Sequence, residues 1–179
     1  MIYMDNAATS FPKPESVYTA VDHFNRCLGG NPGRGSHHAT LKAGSILLDA
    51  REALSRLFNI KDCEQIAFTA NVTESLNIAL KGFLHPGDHV ISTSMEHNAV
   101  ARPLYTLSQQ GVEWTAVACA ADGSLDPDNI RKAIKPNTRM VAMLHASNLT
   151  GTIMPIAEVG KICRENGLVF LVDSAQTAG

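Results

Sequence analysis

Four short apolar runs in this chain are each followed at once by a small polar cluster, and that pairing most restricts its fold. Gln65-Ile66-Ala67-Phe68-Thr69 leads into Asn71-Val72-Thr73-Glu74-Ser75, and His89-Val90-Ile91-Ser92 leads into Met95-Glu96-His97-Asn98. Met140-Val141-Ala142-Met143-Leu144 leads into Asn148-Leu149-Thr150-Gly151, and Leu168-Val169-Phe170-Leu171-Val172 leads into Asp173-Ser174-Ala175-Gln176. Apolar runs of this length, rich in branched residues, read as strands buried on both faces. The stretches between them carry helix punctuation. Asp126-Pro127 marks a helix start, and Gly82, Gly111 and Gly167 fall near helix ends, where a left-handed residue costs little. The pattern predicts strands near 65–69, 89–93, 113–118, 139–145 and 168–172, with helices near 74–83, 98–110, 126–134 and 155–166. Strands alternating with helices give an α/β protein: three α/β/α layers around a mostly parallel sheet. Such sheets bind ligands outside the carboxyl ends of their strands. A hydroxyl, an imidazole, two amides and a carboxylate would therefore converge on one crevice.

The amino-terminal third reads differently. Residues 1–13 form an extended arm ending at Phe11-Pro12-Lys13-Pro14, and proline tolerates a first helical turn, so a helix is predicted from Pro14 to Leu28. Gly29-Gly30-Asn31-Pro32-Gly33-Arg34-Gly35 is a loop, followed by a helix over roughly 38–58 with Ile46, Ala50, Ala53, Leu54 and Leu57 at helical spacing. No repeat or linker marks a boundary after about residue 36, so the expected organisation is an arm, 1–13, and one domain portion, 14–179. The chain ends on a strand-end cluster without a closing helix, which suggests the N-terminal part of a longer protein.

Composition excludes several function classes. A net charge of −2 gives no reason to expect nucleic acid or an anionic membrane as partner. No apolar stretch is long enough to span a bilayer, and the start lacks the features of a secretory signal, so a cytoplasmic protein is expected. Cys27, Cys63, Cys119 and Cys163 are scattered, which argues against a zinc site or a disulfide framework. No metal site is expected.

Each polar cluster allows two readings. Thr73 could bind phosphate together with the free amides at a helix start, or could simply cap that helix. Asp173 closes the most apolar strand, where a carboxylate needs a partner: a cation, a protonated heterocycle or a cap. His97 could stack on a planar ring and exchange protons near neutral pH, or could be structural. Asn148 and Gln176 could bond a phenolic oxygen or satisfy loop backbone. Their order along the chain, each at a strand end, favours a cofactor site.

These segments resemble the class V aminotransferase family of pyridoxal-phosphate enzymes, most closely the cysteine desulfurases and selenocysteine lyases. Ile2-Tyr3-Met4-Asp5-Asn6-Ala7-Ala8-Thr9-Ser10 is similar to the family's YLDNAATT start, and Asn71-Val72-Thr73-Glu74-Ser75-Leu76-Asn77 to its NATEAIN segment. Glu96-His97-Asn98-Ala99 resembles EHHAN, Asn148-Leu149-Thr150-Gly151 the N-x-x-G turn, and Val172-Asp173-Ser174-Ala175-Gln176 the VDGAQ segment. The resemblance covers essentially the whole chain. It implies an incomplete pyridoxal-phosphate transferase large domain, with Thr73 and the amides of Val72 and Thr73 on the cofactor phosphate. It further implies His97 over the pyridine ring as acid or base, Asn148 and Gln176 on the phenolic oxygen, and Asp173 on the ring nitrogen. The implied partners are an amino-acid substrate such as cysteine, a sulfur-acceptor protein and a second copy in a homodimer. The family's cofactor-anchoring lysine lies in a serine-x-histidine-lysine segment that this sequence does not contain, and no cysteine here matches the desulfurase nucleophile segment. The isolated chain is therefore expected to be inactive. Transamination, another amino-acid lyase reaction, or a non-catalytic interaction module are the alternative expectations.

Overall fold

A computed structural model describes residues 2–179. They cluster into two compact units, residues 2–68 with Gly179 and Thr69–Ala178.

In the first unit, α1 (Glu15–His23) runs on as a π-helical turn, Phe24–Leu28, and stops at Gly29 in the left-handed region (φ 53°). Gly30 needs its missing side chain: a Cβ there would lie 2.3 Å from the carbonyl oxygen of Ala39. Helix α2 (His38–Leu57) follows, with only Thr40 and Ala43 buried. Neither helix covers its apolar stripe within this unit, and Val21, Leu41, Ile46 and Leu48 stay exposed.

One predicted strand is absent. Cys63–Gln65 forms a 3₁₀ turn capped by Asp62, and residues 66–69 join no sheet among the described residues. An apolar run becomes a strand only when another strand takes up its backbone N–H and C=O groups. Phe68 is instead 45% exposed, with the Arg51 guanidinium 5.7 Å from its ring centroid.

The second unit contains the sheet. Its elements are α3 (Val72–Phe83), β1 (His89–Thr93), α4 (Asn98–Ser108), β2 (Glu113–Val117), α5 (Pro127–Ala133), β3 (Thr138–Leu144), α6 (Ile156–Glu165) and β4 (Val169–Asp173). All pairings are parallel, in the order β2-β1-β3-β4. Successive strand residues face opposite sides, and the packing follows that period. Val90, Met140 and Ala142 join Leu76 and Leu80 of α3 and Val100 and Leu104 of α4 in one core. Ile91, Val141 and Met143 join Ile130 of α5 and Val159 and Cys163 of α6 in the other. The three-layer α/β/α architecture is thus present. The central strands β1 and β3 are almost wholly buried, which explains why they read as unbroken apolar runs.

The sheet order matters for function. From β1 the chain crosses to β2 on one side, then returns to β3 on the other. The crevice beyond the carboxyl ends of β1 and β3 is the switch point at which such sheets place ligands.

Candidate functional site

Asn71, not Thr73, caps α3. Its backbone is extended (φ −166°), and its Oδ1 accepts the Glu74 amide at 2.9 Å. Glu74 reaches back to accept the Ala70 amide at 2.8 Å, a reciprocal arrangement close to a capping box. Thr69 Oγ1 steadies the turn by bonding the Asn71 carbonyl and the Ser75 hydroxyl. Val72 and Thr73 are the first two helical residues, so their amides have no acceptor within the helix and meet its positive end. The Thr73 hydroxyl is left free of capping. This is the donor set of an anion site.

His97 caps α4 in the same way. Its Nδ1 accepts the Ala99 amide at 3.1 Å. Acceptance at Nδ1 leaves the neutral ring's proton on Nε2. Thr73 and His97 line a single groove of about 330 Å³ between α3 and α4, together with Asn77, Lys81 and Arg102. The structure therefore brings these two predicted residues together and adds two cations that sequence reasoning did not select.

Asp173 lies at the end of β4, paired in register with Leu144 and 7% exposed. Its carbonyl accepts the His145 amide, and its Oδ1 accepts the Ala175 amide at 3.0 Å. Oδ2 has no hydrogen-bond partner among the described residues and is not sealed from solvent, so one carboxylate oxygen is open to a cationic donor. Asn148 and Gln176 occupy exposed turns after β3 and β4, at the same end of the sheet as His97, but they do not line the groove. The Asn148 turn is closed by Ser147, whose Oγ accepts the Leu149 and Thr150 amides. The Gln176 turn is tied back to β3 by Thr177 Oγ1, 2.8 Å from His145 Nδ1.

Glu96 is the residue whose importance the sequence did not reveal. Its Oε1 accepts the Thr93 hydroxyl at 2.6 Å and the Thr93 amide at 3.4 Å, while Oε2 accepts the Leu144 amide at 3.0 Å. The side chain thus bridges the ends of β1 and β3 at the switch point. Burial pushes its carboxyl up to about 7, against the opposing effect of those hydrogen bonds and with a further upward push from the Asp173 charge. The available signal was a carboxylate just beyond a fully buried strand and beside His97. The Cys163 thiol offers no comparable chemistry: burial pushes it up to about 11, far from a reactive thiolate. Among the described residues no group of histidine, cysteine and carboxylate side chains could hold a metal, and no helix is long and apolar enough to cross a membrane.

The observed arrangement suits a flat, anionic, nitrogen-bearing ligand. Unused helix amides and the Thr73 hydroxyl could hold an anion, His97 lines the same groove as Thr73, and a buried carboxylate ends β4, beyond β3. The aminotransferase class-V family model matches residues 2–179. Cysteine desulfurase IscS of Anaeromyxobacter sp. (strain K) is 37% identical over 182 residues, covering 99% of this chain and 45% of the relative. A probable cysteine desulfurase of Methanothermobacter thermautotrophicus is 34% identical over 179 residues, covering 99% and 44%. The apo cysteine desulfurase structure from Thermococcus onnurineus NA1 superposes with a TM-score of 0.90 at 32% identity, covering 99% of this chain and 44% of that one. A structure of SspA in complex with cysteine gives a TM-score of 0.92 at 29% identity, covering 99% and 51%. The chain spans less than half the length of these curated relatives. It belongs to the aminotransferase class-V family.

Proposed function

We propose that this chain forms the cofactor-holding portion of a pyridoxal-phosphate-dependent cysteine desulfurase. Residues 14–179 would be the first part of its large domain, residues 1–13 an arm, and the anchoring lysine a residue outside this chain. The observation that carries the reading is the shared groove: Thr73, at the open start of α3, and His97 line one space of about 330 Å³. The amides of Val72 and Thr73 and the Thr73 hydroxyl hold the phosphate through donors that the helix itself leaves unused. His97, anchored at Nδ1, presents Nε2 as the atom that gives or takes a proton. Asp173 offers Oδ2 to the protonated ring nitrogen, and its burial strengthens that pairing. Asn148 and Gln176 serve the phenolic oxygen from their turns. Once bound, the cofactor supplies an electron sink for the charge left at the substrate carbon.

The relatives' names support L-cysteine as the amino-acid substrate; the reading further assigns alanine as product and sulfur passed through an enzyme persulfide to an acceptor protein. The exposed apolar residues of α1 and α2 support burial against more protein, and we assign a homodimer. Absorbance titration with pyridoxal phosphate tests the site. The chain should bind, Thr73→Val should weaken binding at least about tenfold through loss of a phosphate hydrogen bond, and Asp173→Asn should alter the bound spectrum. Unchanged affinity in Thr73→Val refutes the phosphate assignment. The isolated chain should release no alanine from cysteine.

A further inference from the structure

The carboxyl of Glu96 is costly where it stands. It is largely buried, and Asp173, the charged group acting on it, carries the same sign. Its hydrogen bonds alone do not require an acid. A glutamine could accept the Leu144 amide through its oxygen and donate to Thr93 Oγ1 through its nitrogen at no charge cost, losing only the long 3.4 Å bond from the Thr93 amide. Where the buried carboxyl would have to ionise, stability therefore favours an amide at this position. The acid's location points to another role. Its backbone leads directly into His97, its side chain closes the Thr93–Glu96 turn, and its second oxygen holds Leu144, the residue opposite Asp173 in the β3–β4 ladder.

We propose that Glu96 is a positioning residue that links the His97 turn to the strand end bearing Asp173 and transmits its own charge state to that carboxylate. The consequence for the site rests on the reading of His97 and Asp173 as cofactor-facing groups; the link itself does not. One carboxyl group thus governs two features: the spacing of the β1 and β3 ends, through hydrogen bonds, and the field at Asp173, through ionisation. Asp173 on β4 is the charged partner, and Thr93 on β1 and Leu144 on β3 are the neutral ones.

The test uses the cofactor-free chain, with carboxyl carbons labelled, observed by NMR from pH 5 to 9. In the wild type the Asp173 carboxyl resonance should shift in step with Glu96, with a midpoint near 7. Glu96→Gln should remove that shift while Leu144 keeps its amide protection against hydrogen exchange. Glu96→Ala should lower that protection roughly tenfold or more, the loss expected for a hydrogen bond to a charged acceptor. An Asp173 resonance that does not move with Glu96 in the wild type overturns the proposal without recourse to any variant. Full Leu144 protection in Glu96→Ala overturns it as well. Cofactor titration of the same samples separates the two readings. Intact coupling without pyridoxal phosphate binding removes the cofactor assignment and leaves the link standing. Binding without coupling removes the link alone.

Discussion

Replacing Glu96 by glutamine should stabilise this protein at alkaline pH and lose that advantage in acid. In the folded chain the carboxyl is raised from 4.5 to about 7, chiefly by burial. Below about pH 4.5 both folded and unfolded chains hold the proton, and the side chain's contribution is fully present. Between about 4.5 and 7 the unfolded chain releases its proton while the folded chain retains it, so rising pH favours unfolding. Above about 7 both states are ionised and the loss is complete. At about 1.4 kcal/mol for each pH unit, the difference amounts to about 3 kcal/mol. Glutamine does not titrate, and the bond it loses from the Thr93 amide is a pH-independent offset, so the stability difference between variant and wild type should move by about 3 kcal/mol in the variant's favour from pH 4.5 to pH 8. Urea unfolding followed by fluorescence of Trp114, the sole tryptophan, gives both stabilities; its Nε1 donates to Ser92 in the fold. Every other titrating group apart from Asp173, which feels the Glu96 charge, is common to both proteins and cancels in the difference. Two stability curves running parallel across that range would refute the reasoning, because a carboxyl with an ordinary ionisation in the fold contributes no such slope.

Two further outcomes follow from other positions. His89 is fully enclosed on β1, its ring nitrogens 2.7 Å from Thr138 Oγ1 and 2.9 Å from Thr115 Oγ1. Burial, then the nearby Lys135 charge, lowers its pKa below 6.5, with Glu113 opposing. Its contribution to stability is therefore present above 6.5 and fades as pH falls toward the folded value; an NMR titration of its ring should give a midpoint below 6.5, and a midpoint at or above 6.5 contradicts this. Asn71→Ala removes the α3 cap and should cost about 1 kcal/mol in urea unfolding, with weaker pyridoxal phosphate binding as the α3 amides lose their fixed directions; a variant as stable as wild type would show that the cap bears no load.

How much of the site was legible in sequence depends on the range of the interactions involved. The order of strands and helices from residue 72 onward could be read from apolar spacing, because burial on one face or two imposes its period locally. The run at residues 65–69 has the same composition as a strand but stays unpaired here, because composition does not say whether a ladder partner exists. Thr73 and Asn71 both have side chains able to cap, and only the backbone angle at Asn71 decides between them. His97 could be assigned by its place after β1, but not its Nδ1 anchor to Ala99, which depends on the turn into α4.

By itself, then, the sequence determined the α/β/α layering, the parallel strands and the kinds of side chain that gather at their ends. Tertiary structure alone decided which of these side chains share a space. Thr73 and His97 lie far apart in the chain, and their helices reach a common groove because both pack on one face of the sheet. The bond from Glu96 to Leu144 spans 48 residues and exists because β1 and β3 become neighbours. Periodicity is written in neighbouring residues. Proximity between distant segments, and the shift of a carboxyl that burial brings with it, arises only when the sheet order places their strand ends side by side.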